Sequence, residues 1–255
     1  MRQLKQREVM MKSTALLFSD LHFPYADPKY LSIGTKLIKK LKPDHVLQCG
    51  DALDFSDIST YLTHPKNESK IFAEIEAYNK QLDIWQAAMK KGSTFHQLEG
   101  NHTERIKRYV AKNCRHIHEI VKEIPDLLRF KERSKSGIKF VWHPLSNWKS
   151  CKIHDVVIHH GIFYDKNLAV SNLTRYQGIK FVQAHAHRFQ SAYQNGIWSV
   201  TLGHGSLAEK TNHMAGPCQW QQAMGLITFV KGKGYFEPII VQDGETCFRG
   251  EIIKG

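Results

Sequence analysis

The chain has 255 residues, 42% of them hydrophobic and 24% charged, enough for one large α/β domain or two small ones with a sizeable core. No apolar run approaches the roughly 20 residues that a membrane-spanning helix needs. Five cysteines with no CxxC spacing argue against a disulfide framework or a zinc finger and point to a reducing cytoplasm. The net charge of +12 favours a polyanionic partner such as nucleic acid, and 15 histidines make a metal site worth seeking.

Residues 1–12 are polar and basic, carry no small-residue cleavage site, and read as a mobile lead-in. The apolar run 14–18 reads as a buried strand ending at Ser19-Asp20-Leu21-His22. Pro24 and Pro28 bracket a turn, and Pro28 suits the first position of a helix running to about Leu41. A second strand over 45–49 stops at Gly50-Asp51. This strand–helix–strand order is the pattern of parallel strands joined by crossovers.

From 68 to 91, Ile71, Ile75, Tyr78, Leu82, Trp85 and Met89 recur at steps of four and three, predicting a helix with one apolar stripe. The stripe is read as packing on the sheet, with a short dimerising seam as the alternative. A third strand, 95–98, leads to Gly100-Asn101-His102. On the helix expected after that turn, Arg105, Arg108, Lys112 and Arg115 share an arc of about 80°. They form either a solvated face or a track for a phosphate backbone.

The second half reads as strands over 140–142, 152–160, 181–184 and 197–202, with Asn195-Gly196 as a hairpin turn. Residues 224–230 and 235–241 pair as a further hairpin, and 246–252 adds an edge. The longest irregular loop spans 203–223. With no repeat or linker, residues 1–255 are expected to form a single domain.

Chemistry-bearing residues recur at the expected strand ends: Asp20 and His22, Asp51, Asn101 and His102, His160, then His185 and His187. Ligands of open α/β sheets gather at such carboxyl ends. In Asp20-x-His22 and His185-x-His187 the two side chains share one side of an extended segment.

Five ordered elements, Asp20-x-His22, Gly50-Asp51, Gly100-Asn101-His102, His160-Gly161 and His185-x-His187, resemble the calcineurin-like metallophosphoesterase superfamily. The resemblance spans about residues 14–190. More loosely, Gly50 to Phe55, Asn101 to Arg105 and Gln219 to Gln222 resemble phage-encoded phosphoesterases of that superfamily, which would place the protein in a host cytoplasm. The implied fold is a two-sheet β-sandwich flanked by helices, in four layers, αββα.

The resemblance also implies two divalent metal ions, Mn in vitro with Fe or Zn as alternatives. Asp20, His22, Asp51 and His187 would hold one, and Asp51, Asn101, His160 and His185 the other. His and carboxylate ligands suit Mn, Fe or Zn better than Mg or Ca. Such a pair clamps the attacking and leaving oxygens of a phosphoryl displacement, with a bridging hydroxide as nucleophile. By the same resemblance His102 is catalytic, facing the leaving group as acid or hydrogen-bond donor, and Asp54 orients it.

There are departures. Ala184 stands where the closing motif has Gly, and Thr103 stands where an acidic residue is usual, leaving Glu104 to take that role or none. Phe55 stands where the protein Ser/Thr phosphatases carry a phosphate-binding Arg, which tilts the reading toward phosphodiesters. His159 is an alternative ligand to His160. The other histidines are read as structural or surface, with His204 the nearest candidate to approach the site. The expected function is a phosphodiesterase, a nuclease on DNA or RNA whose backbone Arg105, Arg108 and Lys112 would track. The alternatives are a phosphomonoesterase or phosphoprotein phosphatase, and a non-catalytic nucleic-acid-binding protein.

Overall fold

A computed structural model describes residues 12–60, 70–147, 149, 151–211 and 219–255. The lead-in at 1–11 lies outside them, whereas Lys12 already belongs to the first strand. Strands β1 (Lys12–Phe18), β2 (His45–Gln48), β3 (Thr94–Leu98) and β4 (Lys139–His143) run parallel, which for β1 and β2 is what the crossover pattern at the front of the chain predicts. They are followed by β5 (Cys151–Ile153), β6 (Val156–His159), β7 (Lys180–Gln183), β8 (Gln190–Gln194) and β9 (Ile197–Thr201). The last four are β10 (Ala223–Val230), β11 (Lys233–Ile240), β12 (Glu245–Phe248) and β13 (Glu251–Lys254). Three sheets result: β11-β10-β1-β2-β3-β4, β5-β6-β7-β9-β8, and the separate hairpin β12-β13.

Side-chain alternation along β1 explains the layering. Leu16 and Phe18 enter a core shared with helices α1 (Pro28–Leu41) and α2 (Ile71–Ala88). Ala15 and Leu17 enter a second core with Ile158, Val182, Val200 and Ile227 of the other strands. Central strands covered on both faces must be apolar on both faces, and β1 is. Helix α1 starts where Asp27 accepts a hydrogen bond from the Lys29 amide at 2.8 Å, with Pro28 next.

The α2 stripe is used up inside the chain. Ile75, Tyr78, Leu82, Trp85 and Met89 are buried, and Trp85 stacks on Phe18 at 4.6 Å between ring centroids. Those five side chains are covered within the chain itself.

Shorter helices follow: α3 (Arg105–Asn113), α4 (Ile124–Leu127), α5 (Phe130–Arg133), α6 (Leu168–Arg175) and α7 (Ala208–Thr211). Helix α6 packs on β8 and β9, which completes the four layers αββα. The hairpins at Asn195-Gly196 and at residues 231–232 form as expected.

Three expectations need correction. The run 152–160 is broken by a turn at His154, whose φ is 52°, so β5 and β6 pair antiparallel. Residues 246–252 add no edge to the large sheet but fold on themselves as β12-β13. The basic stripe loses Arg115, because α3 ends at Asn113 and Arg115 begins a separate 3-10 turn. The loop after β9 carries α7, and its residues 212–218 lie outside the described ones.

Candidate metal centre

The carboxyl ends of β1, β2, β3, β6 and β7 converge. Beyond the end of β1 the backbone stays laddered to the β2 loop: the Asp20 amide donates to the Gly50 carbonyl (3.1 Å) and the His22 amide to that of Asp51 (2.9 Å). Asp20, His22, Asp51, His185 and His187 all take positive φ, between 49° and 70°. Such strain in non-glycine residues persists only where the surrounding structure enforces it, and it concentrates at functional sites. The two motif glycines are needed for room. A Cβ on Gly50 would overlap the His160 ring, and one on Gly100 would overlap the Asp51 carboxylate.

Two groups of donor atoms result. In the first, Asp20, His22 and His187 bring one ligand atom each within 4.8 Å of one another. His22 Nε2 faces His187 Nε2 at 3.1 Å, and His187 Nε2 lies 3.2 Å from Asp20 Oδ1. In the second, Asp51, His160 and His185 meet within the same limit. His160 Nε2 lies 2.9 Å from Asn101 Oδ1 and 3.1 Å from Asp51 Oδ2. All seven residues of the sequence-derived metal set are thus brought to one place. His159 turns away, its Nε2 donating to the Leu145 carbonyl at 3.0 Å.

Hydrogen-bond accounting tests whether cations fit. His160 Nδ1 lies 3.1 Å from the Cys49 carbonyl, an acceptor, so that nitrogen carries the proton. Its Nε2 then presents a lone pair to two further acceptors, the Asp51 carboxylate and the Asn101 amide oxygen. Three lone pairs aimed at one point need a cation or a proton between them. The first group repeats this: Asp54 takes the His22 Nδ1 proton at 3.0 Å, leaving His22 Nε2 as a lone pair beside His187 and Asp20. The residues present therefore fit two cations.

The electrostatics agree. Burial lowers His160, but the Asp51 charge and hydrogen bond outweigh it and raise its pKa to about 9, so a proton takes the cation's place when none is bound. Burial alone would raise Asp51, yet His160, His102 and His22 hold its carboxyl well below the usual range. His185 is pushed down to about 4 by burial and by neighbouring His160, which keeps its ring neutral.

Beside the second group, His102 Nδ1 meets Asp54 Oδ1 at 2.9 Å, and the His102 amide donates to Asp51 Oδ1 at 2.8 Å. Asp54 therefore holds two imidazoles, His22 as well as His102. Burial pushes its carboxyl up, and hydrogen bonds from those two rings overcome this and keep it ionised. Phe55 is fully buried, and its amide donates to Glu74.

Arg105 is not one member of a surface stripe. Its Nη1 donates to the Asp54 carbonyl at 2.7 Å and its Nη2 lies 3.2 Å from His102 Nε2. Arg108 pairs with Glu104 on the same helix. Arg105, Arg108, Tyr109 and Lys112 line a cleft of about 520 Å³ together with Asn101 and Asp57. Arg115 faces a different, more apolar cleft beside Val121 and Ile124.

Sequence reasoning missed Arg105's contact with His102, because a charge plot of a helix says nothing about what lies beyond its first turn. It also missed Trp220, whose ring packs 4.1 Å from that of His187. His204, the anticipated neighbour, stacks 5.5 Å from the same histidine.

A two-sheet sandwich that gathers His and Asp side chains in metal-holding groups at its strand ends fits the class of metal-dependent phosphoester hydrolases. The chain belongs to the calcineurin-like phosphoesterase family, whose profile matches residues 13–230. No curated protein matches it. Among solved structures it is similar to vacuolar protein sorting 29 from Cryptosporidium parvum, with 14% identity, 96% of this chain and 97% of that chain covered, and a TM-score of 0.49. It is also similar to Yfce, a phosphoesterase from E. coli, with 10% identity, coverage of 90% and 100%, and a TM-score of 0.42. A third likeness is a predicted phosphoesterase from Streptococcus pneumoniae, with 13% identity, coverage of 96% and 97%, and a TM-score of 0.40. Among the described residues no helix is long and apolar enough to cross a membrane.

Proposed function

We propose that the protein is a dinuclear-metal phosphodiesterase acting on nucleic acid. Asp20, His22, Asp51 and His187 would hold one ion, and Asp51, Asn101, His160 and His185 the second, with Mn²⁺ the working metal in vitro. The bound pair supplies Lewis acidity at the phosphate and activates water near neutral pH.

The chain's own residues do the rest. Asp54 fixes the His102 ring, so that Nε2 is the nitrogen presented to the substrate. That nitrogen cannot accept from Arg105 and donate to a leaving oxygen at once. On substrate binding the Arg105 guanidinium passes to a phosphate oxygen; the freed His102 Nε2 takes a proton from solvent and delivers it to the leaving oxygen.

The observation that carries the phosphodiester reading is the cleft leaving Asn101, walled by Arg105, Arg108 and Lys112. A monoester needs one cationic pocket, whereas a nucleic-acid strand needs a row of cations leading away from the reacting phosphate. The buried Phe55 offers no phosphate contact of the kind made by the Arg of the protein phosphatases.

The test is a panel of single- and double-stranded DNA, RNA, and mono- and bis-aryl phosphates with Mn²⁺, using His102→Gln as control. The expected result is cleavage of an oligonucleotide and of the bis-aryl ester, both abolished in the control. Turnover of the mono-aryl ester alone would overturn the reading.

A further inference from the structure

A second convergence of metal-ligating side chains lies away from the strand ends, inside the sandwich. His96 of β3 and His143 of β4 project from the six-stranded sheet, and Cys151 of β5 projects from the five-stranded one. One ring nitrogen of each histidine and the Cys151 sulfur fall within 4.8 Å of one another. All three are buried, His96 and His143 at 8% exposure and Cys151 at 0%. His96 lies mid-strand, five residues before Asn101, and no residue is shared with the centre described above.

The surroundings make this set unusual. The layer between the sheets is otherwise filled by Leu17, Leu47, Ile158, Val182 and Phe229. Imidazoles in such a layer need partners. His96 Nδ1 lies 3.0 Å from His143 Nε2, and the other nitrogen of His96 lies 3.1 Å from His45 Nδ1 on β2. His45 thus stands where a metal-bound histidine has its usual supporting partner, on the ring nitrogen facing away from the ion.

We propose that His96, His143 and Cys151 bind a third, mononuclear ion of the soft or borderline class, Zn²⁺ above all. Two imidazoles and a thiolate form a donor set that selects such an ion over Mg²⁺ or Ca²⁺ and binds Mn²⁺ weakly. The site is structural: it ties β4, the edge of one sheet, to β5, the edge of the other. Binding displaces the thiol proton to solvent, and no redox step is involved. The Zn²⁺ content of a preparation would then exceed what hydrolysis requires.

The probe is Co²⁺, titrated into metal-free full-length protein and followed by absorption. A near-ultraviolet thiolate-to-cobalt band should appear and reach the amplitude of one thiolate-bound ion per chain by three equivalents, because the strand-end centre takes up two ions and offers them only nitrogen and oxygen. The band should vanish in Cys151→Ser and in His143→Gln and persist in Asp51→Asn. Elemental analysis of Zn²⁺-loaded protein should fall by one ion per chain in Cys151→Ser, with phosphoesterase activity retained. Absence of the band in wild-type protein would overturn the proposal, and this needs no variant to fold. A band that survives Cys151→Ser would overturn it equally, since another cysteine would be the source.

Discussion

The guanidinium of Arg105 lies 3.2 Å from Nε2 of His102, the ring nitrogen left free once Asp54 has engaged Nδ1. A cation and a proton-transfer group are thereby stored against each other, one turn apart at the start of α3, until a phosphate separates them.

Removing that cation should act on binding before chemistry. A hydrogen bond from Arg105 to a charged phosphate contributes about 1.5–3 kcal/mol, so Arg105→Ala should raise KM for a diester about 10- to 100-fold. Arg105→Lys should recover part of this. Steady-state kinetics on the bis-aryl substrate decide the matter; an unchanged KM would mean that Arg105 only braces the Asp54 loop.

Asp54 serves two rings, and its loss should show in two measurements. Asp54→Asn should lower kcat about 10- to 100-fold and weaken metal binding by a comparable factor, because a neutral amide replaces the carboxylate that both His102 and His22 hydrogen-bond. His102→Gln should lower kcat and leave the metal content intact. Parallel kinetics and metal analysis separate the two effects, and full metal retention in Asp54→Asn would refute the shared role.

Metal loading should be pH-linked through His160. Its pKa of about 9 in the cation-free fold lies above the ordinary histidine value, so a proton occupies the site at neutral pH and must leave when a cation enters. Affinity for Mn²⁺ should therefore rise with pH up to about 9 and level off above it. The cation-free protein should behave oppositely: the stability from the protonated His160–Asp51 pair is complete below the ordinary histidine pKa of about 6.5 and is lost as pH rises through 9. Calorimetric titrations in buffers of differing protonation enthalpy should detect at least one proton released per chain at neutral pH, because His22 is raised as well by its bond to Asp54, and far less release well above pH 9. Equal release at both would contradict this account of His160.

The cleft wall should set the salt dependence of nucleic-acid binding. Each cation withdrawn from the phosphate backbone lowers the slope of log K against log salt by about 0.7–0.9, so Arg108→Glu with Lys112→Glu should flatten it by about 1.4–1.8. Lys39→Glu, on an exposed position of α1, should change it far less. Fluorescence anisotropy across a salt series makes the comparison.

Much of the architecture was legible before any tertiary contact was known. The parallel β1, β2 and β3 could be read because each is a short apolar run and helical stripes separate them, and period and length are local properties. The convergence of Asp20, His22, Asp51, Asn101, His160, His185 and His187 was legible for a related reason. Each follows a buried strand, and parallel strands present their carboxyl ends on one side. The break at His154 was not legible, because one left-handed residue inside an apolar run leaves the hydrophobic pattern unchanged.

The sequence by itself thus determined the kind of fold and which side chains stand at its strand ends, because those depend on periodicity and chain order. Tertiary structure alone decided that Arg105 meets His102, that the α2 stripe is consumed by the core, and that His96, His143 and Cys151 face one another. The physical reason is that these contacts depend on strand register and on how two sheets are laid together. Cys151 reaches the histidines only because β5 packs across from β3 and β4. That distance is set by the whole sandwich and is written in no local stretch of the chain.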